Sequence, residues 1–196
     1  MNLFLRLFRA YFPNISTPWR LVAFFIFELA FALGWMRAKK SDSLQPRFWL
    51  ALLFGAAAGY GFLLLAMLVL ARGSRADYKY DFQLFHTYRR LLAGGPGASE
   101  WGALALFNCL LFMPFGFFLA AERTLRRGNN GGVRMAAVCG FAYSLLLETL
   151  QLVLRRGTCE LDDILHNTIG AVLGALLWLL LRRIVCNLRK NDSSSN

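Results

Sequence analysis

The chain contains few charged residues for its length. Only 17% of its 196 residues are Asp, Glu, Lys or Arg, whereas 57% are hydrophobic. The core of a water-soluble domain of this size has no room for so much apolar surface. Cysteine is scarce as well, and the absence of a C-x-x-C pair excludes the common zinc and redox motifs. Neither Gly-x-Ser-x-Gly nor His-Glu-x-x-His occurs, so no familiar hydrolase motif is present.

Long apolar runs replace these missing features. A membrane-spanning helix needs roughly 20 mostly apolar residues. Four runs meet this length: Phe48–Ala71, Trp101–Ala121, Met135–Leu154 and Ile164–Leu181. A fifth run, Leu21–Trp35, is shorter and carries Glu28. The sequence therefore predicts an all-α integral membrane helical bundle with four to five transmembrane helices.

The N-terminal part differs in character from the rest. Residues 1–12 alternate Phe and Leu with two arginines, and no small-residue cleavage site follows an apolar run. We interpret them as a basic amphipathic helix on the membrane surface, not as a cleaved signal. We expect three parts: an N-terminal segment of residues 1–47 with one weak transmembrane or interfacial helix, a four-helix membrane domain of residues 48–183, and a polar tail of residues 184–196.

The charge distribution predicts an orientation. The net charge is +11, which we attribute to basic residues beside anionic lipid headgroups, with no nucleic-acid partner expected. Residues 37–47, 122–134 and 182–196 carry an excess of Lys and Arg, so the positive-inside rule predicts that they are cytoplasmic. Residues 155–163 are acidic in balance and are expected outside, as is the segment 72–100. The side of the N-terminus depends on whether the fifth run spans the membrane.

Three of the predicted spans carry polar residues at helical spacing, which places them on one face of each helix. The candidate ligand-binding residues are Asn108, Ser144, Glu148, Gln151, Arg156, Asp162, Asp163 and Asn167. Polar faces are costly against lipid, so we expect them to face one another, in the outer half of the membrane. Arg155 and Arg156 are expected to neutralise the carboxylates. The same contacts can also serve only to hold the bundle together.

Small residues and a proline suggest how the helices pack. Glycines four residues apart, such as the pairs Gly55/Gly59 and Gly170/Gly174, allow close helix approach, either within the chain or in a dimer. Pro114 is expected to kink its helix near Asn108, and Gly116 lies on the same face as Asn108. The four cysteines are expected to be buried thiols, because a Cys109–Cys159 disulfide requires both to face outward. The oligomeric state is not indicated.

Three spaced motifs occur in these spans. They read N-x-x-x-F-x-P-x-G from Asn108, S-x-x-x-E-x-x-Q from Ser144, and R-G-x-C-x-x-D-D-x-x-x-N-T-x-G from Arg156. In these motifs the chain resembles the VanZ-like family, over roughly Phe48–Arg183. Glu160 stands where the family has Asp, which keeps the charge but changes its reach.

A fourth family motif, N-L-x-P-F-x-T, is met only in part. Phe85 and Thr87 match it, whereas Asp81 replaces the Asn and Leu84 replaces the Pro. The resemblance implies a multi-pass protein of the bacterial cytoplasmic membrane, of the kind linked to low-level teicoplanin resistance. It implies a phenotype and no reaction mechanism.

Three functions are compatible with these residues. The first is a non-enzymatic envelope protein whose pocket holds a lipid headgroup, a lipid-linked precursor or a lipoglycopeptide, with no cofactor or metal. The second is an enzyme acting on a lipid-linked phosphate or ester, with Glu148 or His86 as general base and Asp162 and Asp163 on a divalent cation. Adjacent carboxylates cannot share one helix face, which weakens that cation site. The third is an ion-coupled transporter, which the lack of an internal repeat disfavours.

Overall fold

The computed structural model describes residues 17–37, 44–95, 97–128 and 131–194. The helices within these ranges are α1 Thr17–Arg37, α2 Leu44–Leu65, α3 His86–Ala93, α4 Ala98–Arg127, α5 Gly132–Val153 and α6 Leu161–Ser194. A π-helical turn, Ala66–Leu70, continues α2. Two short strands, β1 Tyr80–Asp81 and β2 Cys159–Glu160, pair in parallel. The predicted surface helix of residues 1–12 lies outside the described residues.

Within the described ranges, four helices are long and apolar enough to cross a membrane. Their spanning segments are Phe48–Leu70, Ala98–Arg127, Gly132–Val153 and Leu161–Leu188. A shorter apolar stretch, Val22–Leu33, lies in α1. The predicted all-α membrane bundle is therefore confirmed, with four membrane-length helices in the part of the chain that the structure describes.

The direction of the helices gathers two connecting segments at one end of the bundle. α2 and α5 end there, and α4 and α6 begin there. The connecting residues 71–97 contain β1 and α3, and the residues 154–160 contain β2. The β1–β2 pairing joins the two connections, with Tyr80 opposite Cys159 and Asp81 opposite Glu160. We call this end of the bundle the pocket end.

The ends of α4 follow from its flanking glycines. Gly97 before the helix has φ of 84° and Gly128 after it has φ of 68°, which are left-handed conformations that glycine adopts without strain. The Gly128 amide donates to the Thr124 carbonyl at 2.8 Å, which satisfies a terminal helix carbonyl. Arg126 and Arg127 in the last turn complement the helix dipole.

Backbone contact joins α4 to α6, the most extensive helix pair in the described structure. A Cβ atom at Gly170 would collide with the Cys109 carbonyl, and one at Gly174 would collide with the Met113 carbonyl. Gly116 approaches the α6 backbone in the same way. Glycine allows this approach because it has no side chain, so the parallel helices α4 and α6 are fixed in register.

The second glycine pair also packs against a helix of the same chain. Gly55 and Gly59 of α2 face Phe27 of α1, which leaves a Cβ at Gly55 only 3.0 Å from the Phe27 carbonyl oxygen. Pro114 lies within α4, which continues as a helix on both sides of it. All four cysteines are free thiols, but the prediction that all are buried is wrong, because only Cys159 is buried and Cys186 is exposed.

Candidate functional site: a polar pocket at one end of the bundle

A pocket of about 610 Å³ opens at the pocket end, within the size range of small-molecule sites. Its wall combines side chains of both charges with apolar ones. The lining residues are Met67, Ala71, Arg72, Gly73, Arg75, Thr87, Trp101, Leu104, Ala105, Asn108, Gly157, Thr158, Glu160, Asp163 and His166. They come from the π-helical turn and the connection that follows it, from α3, from the first turns of α4 and α6, and from the connection between α5 and α6.

Asn108 and Asp163 are the two predicted ligand-binding residues among the lining residues. The Asn108 amide Nδ2 donates a hydrogen bond of 2.7 Å to the Asp163 carboxylate. This contact links the polar face of α4 to that of α6. Asp163 as a whole residue is half-buried and lines the pocket.

Ser144, Glu148, Gln151 and Asn167 are almost fully buried where α5 and α6 pack together. The Asn167 amide Nδ2 donates to the Ser144 hydroxyl at 2.8 Å. The Glu148 carboxylate accepts the backbone N–H of Glu160 at 3.0 Å, which fixes the strand β2 above it. These groups therefore support the pocket wall from behind.

Asp162 has a different position from its neighbour Asp163. Its two carboxylate oxygens accept the backbone N–H groups of Phe85 at 2.6 Å and Thr87 at 2.8 Å. These donors lie at the start of α3, where helix N–H groups lack intrahelical partners. Asp162 therefore ties the segment that contains α3 to the first turn of α6.

The structure differs from the expectation that Arg155 and Arg156 neutralise the carboxylates. The Arg156 guanidinium donates to the Leu70 carbonyl at 2.7 Å, at the end of the π-helical turn. The Arg155 guanidinium lies 4.3 Å from the centre of the Tyr78 ring and donates to the Ala76 carbonyl at 3.2 Å. Both side chains therefore hold the end of the π-helical turn and the residues after it in place, by donating to backbone carbonyls there.

Arg72 interacts electrostatically with the acidic groups at the pocket. Glu148, Glu160 and Asp163 all lie within its electrostatic influence. The π-helical turn places Arg72 there, two residues after Leu70, and the Ala71 amide donates to the Ala66 carbonyl at 2.7 Å. π-Helical turns are rare in proteins, and those that occur are often at functional sites.

The absence of a side chain at Gly157 leaves space for the Arg72 guanidinium in the pocket wall. Its φ is 130°, a conformation that residues with a side chain rarely adopt. A Cβ atom there would lie 2.7 Å from Arg72 Nη1 and 2.8 Å from Gln151 Oε1. The glycine of the R-G motif thus leaves room for a guanidinium and an amide oxygen at one point of the wall.

Glu160 lies in an acidic environment. Burial raises the pKa of its carboxyl group, and the charges of Asp81 and Asp162 raise it further. Its neighbour in β2, Cys159, has a thiol pKa raised to about 11, first by burial and then by the charge of Glu148. An acid-rich region therefore borders the pocket on the side of β2.

His166 lies deep in the pocket wall, with only 2% of its surface exposed. Its Nε2 atom is 3.1 Å from the Tyr88 hydroxyl. Its Nδ1 atom has no hydrogen-bond partner in the part of the chain that the structure describes. Sequence reasoning missed His166, although a histidine inside an apolar span is a usable signal.

His86, a candidate general base, is held beside the pocket by charged neighbours. Its Nδ1 pairs with the Asp81 carboxylate, and its Nε2 lies 2.6 Å from Arg90 Nε. The N–H of Gln83 and then His86 lower the pKa of the Asp81 carboxyl. Trp101, which lines the pocket, lies beside both His86 and Arg90.

Sequence reasoning also missed the pocket arginines. Arg72 and Arg75 follow the end of a span, where basic residues usually contact headgroups, so nothing in the sequence marked them. A divalent cation at Asp162 and Asp163 does not fit the geometry, because both Asp162 oxygens accept backbone N–H groups. Among the described residues, no three His, Cys, Asp or Glu side chains are grouped as metal ligands.

Four membrane-length helices with a polar pocket at one end define a multi-pass membrane protein. The family model described as VanZ/LLP1 matches residues 58–182, well over half of the chain. The chain therefore belongs to the VanZ/LLP1 family, as the three motifs indicated. No curated protein and no solved structure matches the chain.

Proposed function

We propose that the protein binds the phosphate-bearing headgroup of a membrane lipid or lipid-linked envelope precursor in its pocket. The observation that carries this proposal is one cavity lined by Arg72 and Arg75 together with Met67, Leu104 and Trp101. Guanidinium groups bind phosphate oxygens well, and the apolar side chains suit the glycerol and first acyl carbons. Such an amphipathic wall fits a lipid better than it fits a soluble metabolite.

We place this pocket in the outer leaflet of the bacterial cytoplasmic membrane, with the C-terminus in the cytoplasm. Support comes from the basic segments 122–134 and 182–196 at the opposite end. The pocket end also contains basic residues, but several are engaged in local structure. Arg89 donates to the Leu84 carbonyl at 2.8 Å, and Arg155 lies over Tyr78. These contacts give those basic residues a role in the local structure of the connections.

Aromatic side chains around the pocket end support contact with the membrane surface. The segment from just before β1 to the first turn of α3 carries exposed rings, those of Tyr78, Tyr80, Phe82, Phe85 and Tyr88. Aromatic residues are enriched at the level of the headgroups, where their rings are both wet and apolar. A pocket with this border can admit a headgroup from the adjacent leaflet.

Binding a headgroup or precursor at this position would change how a lipid-tailed glycopeptide anchors near its target. We therefore propose that the protein modulates susceptibility to teicoplanin-type antibiotics more than to vancomycin, which lacks the lipid tail. Susceptibility to both drugs is measured in a strain that lacks the protein and carries the wild type, Asp163→Asn or the control Glu122→Gln. The expected result is loss of the teicoplanin effect with Asp163→Asn alone, at equal protein levels in the membrane.

Equal changes for teicoplanin and vancomycin would contradict this role. Loss of the Asp163→Asn protein from the membrane would instead indicate a structural role for the carboxylate. Glu122 is a suitable control because its carboxylate pairs with Arg126 at the other end of α4.

A second candidate is an enzyme that acts on a lipid-linked phosphate or ester. The observation in its favour is that Asp163 and His166, two groups able to transfer protons, line the same pocket. Lipid extracts of a strain carrying His166→Gln should then contain an accumulated substrate. An unchanged lipid profile, together with altered drug susceptibility, would favour the binding protein.

A further inference from the structure

The pocket wall carries charges of both signs. Arg72 and Arg75 contribute two guanidinium groups, and Glu160 and Asp163 contribute two carboxylates. A ligand with only a phosphate would gain from the arginines but would be repelled by the carboxylates. The wall therefore matches a ligand that has a cation beside its anion.

Further carboxyl groups lie behind the pocket wall, near Glu160 and Asp163. Glu148 is 2% exposed and accepts the Glu160 N–H, and Asp162 lies next to Asp163 in the first turn of α6. The charges of Asp81 and Asp162 also act on Glu160. Carboxylates at and behind the wall thus outnumber the two arginines, and a cationic ligand group would offset the excess.

The cation that fits is organic and not a metal ion. Metal ions need several oxygen or nitrogen ligands around one point, and no such group of three side chains occurs in the described ranges. An ammonium group needs only hydrogen-bond acceptors. Besides the two carboxylates, the buried His166 Nδ1 lacks a partner within the described residues and lies on a side chain that lines the pocket.

We propose that the ligand is a zwitterionic aminophosphate headgroup, of which phosphatidylethanolamine is the simplest example. Its phosphate lies against Arg72 and Arg75, and its ammonium group lies against Glu160 and Asp163. This proposal rests on the proposed headgroup function and adds the chemical class of the headgroup.

The test compares short-chain phosphatidylethanolamine with phosphatidylglycerol of the same acyl chains, by calorimetric titration of the purified full chain in detergent. The two lipids share phosphate and tails and differ in the alcohol on the phosphate, which is ethanolamine with its ammonium group in one and uncharged glycerol in the other. Wild type should bind phosphatidylethanolamine about tenfold more tightly, as one charge-assisted hydrogen bond provides. Free phosphoethanolamine should bind more weakly than the lipid, since it lacks the apolar contacts.

Two variants localise the preference. Glu160→Gln, and independently Asp163→Asn, should reduce the ratio of the two affinities toward one without loss of the melting transition. Glu100→Gln is the matched control, because it removes the same charge from an exposed position at the same end of the bundle. It should leave the tenfold ratio intact.

The outcomes separate the two proposals. Equal or tighter binding of phosphatidylglycerol would overturn the aminophosphate assignment and leave headgroup binding in place. Binding of neither lipid would overturn both. Free phosphoethanolamine binding as tightly as the lipid would overturn the lipid source while keeping the charge chemistry.

Discussion

The contact between α4 and α6 differs in kind along its length. At the pocket end the two helices meet through side chains, with Asn108 donating to Asp163. Further along, they meet through backbone, because Gly170 and Gly174 admit the carbonyls of Cys109 and Met113. The glycine part has no space for an added atom, whereas the polar part borders a cavity. Stability and ligand binding are therefore expected to respond to different substitutions in the same helix pair.

The largest effect is expected in the glycine part. Gly170→Ala places a Cβ atom against the Cys109 backbone, which cannot move aside as a flexible side chain can. The cost should be about 3 kcal/mol or more, at the upper end of overpacking effects. Gly61→Ala in α2 is the matched control, because its Cβ would meet Phe115 at an ordinary 3.5 Å. Thermal unfolding in detergent measures both, and equal transitions would contradict the close packing described here.

A smaller effect is expected where Asp162 joins α3 to α6. Asp162→Ala leaves the Phe85 and Thr87 N–H groups without their acceptor, a cost of about 1–3 kcal/mol for each that stays buried. Hydrogen exchange of residues 80–93 should become faster while the spanning helices stay protected. Asp77→Ala, an exposed carboxylate in the same connection, is the control. Unchanged exchange in residues 80–93 would show that other contacts fix α3.

Asp163→Asn should change ligand binding with little change in stability. The asparagine oxygen can still accept the Asn108 hydrogen bond, so the free energy of unfolding should change by less than about 1 kcal/mol. Affinity for phosphatidylethanolamine should fall about tenfold, because the charge that faces the ammonium group is lost. Calorimetry and thermal unfolding of the same preparation measure both. A large loss of stability would show that the Asp163 carboxylate has a structural role.

The smallest effect concerns pH. Burial raises the Glu160 pKa, so above the ordinary carboxyl range the folded protein keeps a proton that the unfolded chain has released. Stability from this group therefore decreases as pH rises through that window. The affinity for an ammonium group should depend on pH in the opposite direction, because an ammonium group binds the ionised carboxylate more tightly than the protonated one. Affinity for phosphatidylethanolamine should rise with pH above the ordinary carboxyl range, as Glu160 ionises. Glu160→Gln should flatten this dependence, and an unchanged slope would exclude Glu160 as its source.

Much of the fold was predictable from local pattern. Apolar length alone identified the four membrane helices, and the family motifs identified the membership that the family match supports. Helical spacing grouped Asn108, Ser144, Glu148, Asp163 and Asn167 on their helix faces. The observed pairs, Asn108 with Asp163 and Asn167 with Ser144, follow from that grouping once the helices are neighbours.

The pocket itself was less predictable, because its residues come from connections without a strong sequence pattern. The position of Arg72 depends on a π-helical turn and on the space at Gly157. Arg156 carries the same charge, but its guanidinium lies against the Leu70 carbonyl. Likewise, the two adjacent carboxylates have different roles, since Asp162 faces the start of α3 and Asp163 lines the pocket.

Local sequence pattern is enough to specify a bundle of membrane-length helices, because backbone groups in lipid must pair within their own segment. The 3.6-residue period likewise specifies which polar residues share a helix face. Which of those residues reach the cavity, and which lie behind its wall, depends on how the helices and connections pack. The reason is that a guanidinium or carboxylate pairs with whichever partner the connections bring within a few ångströms, and chain order does not encode that distance.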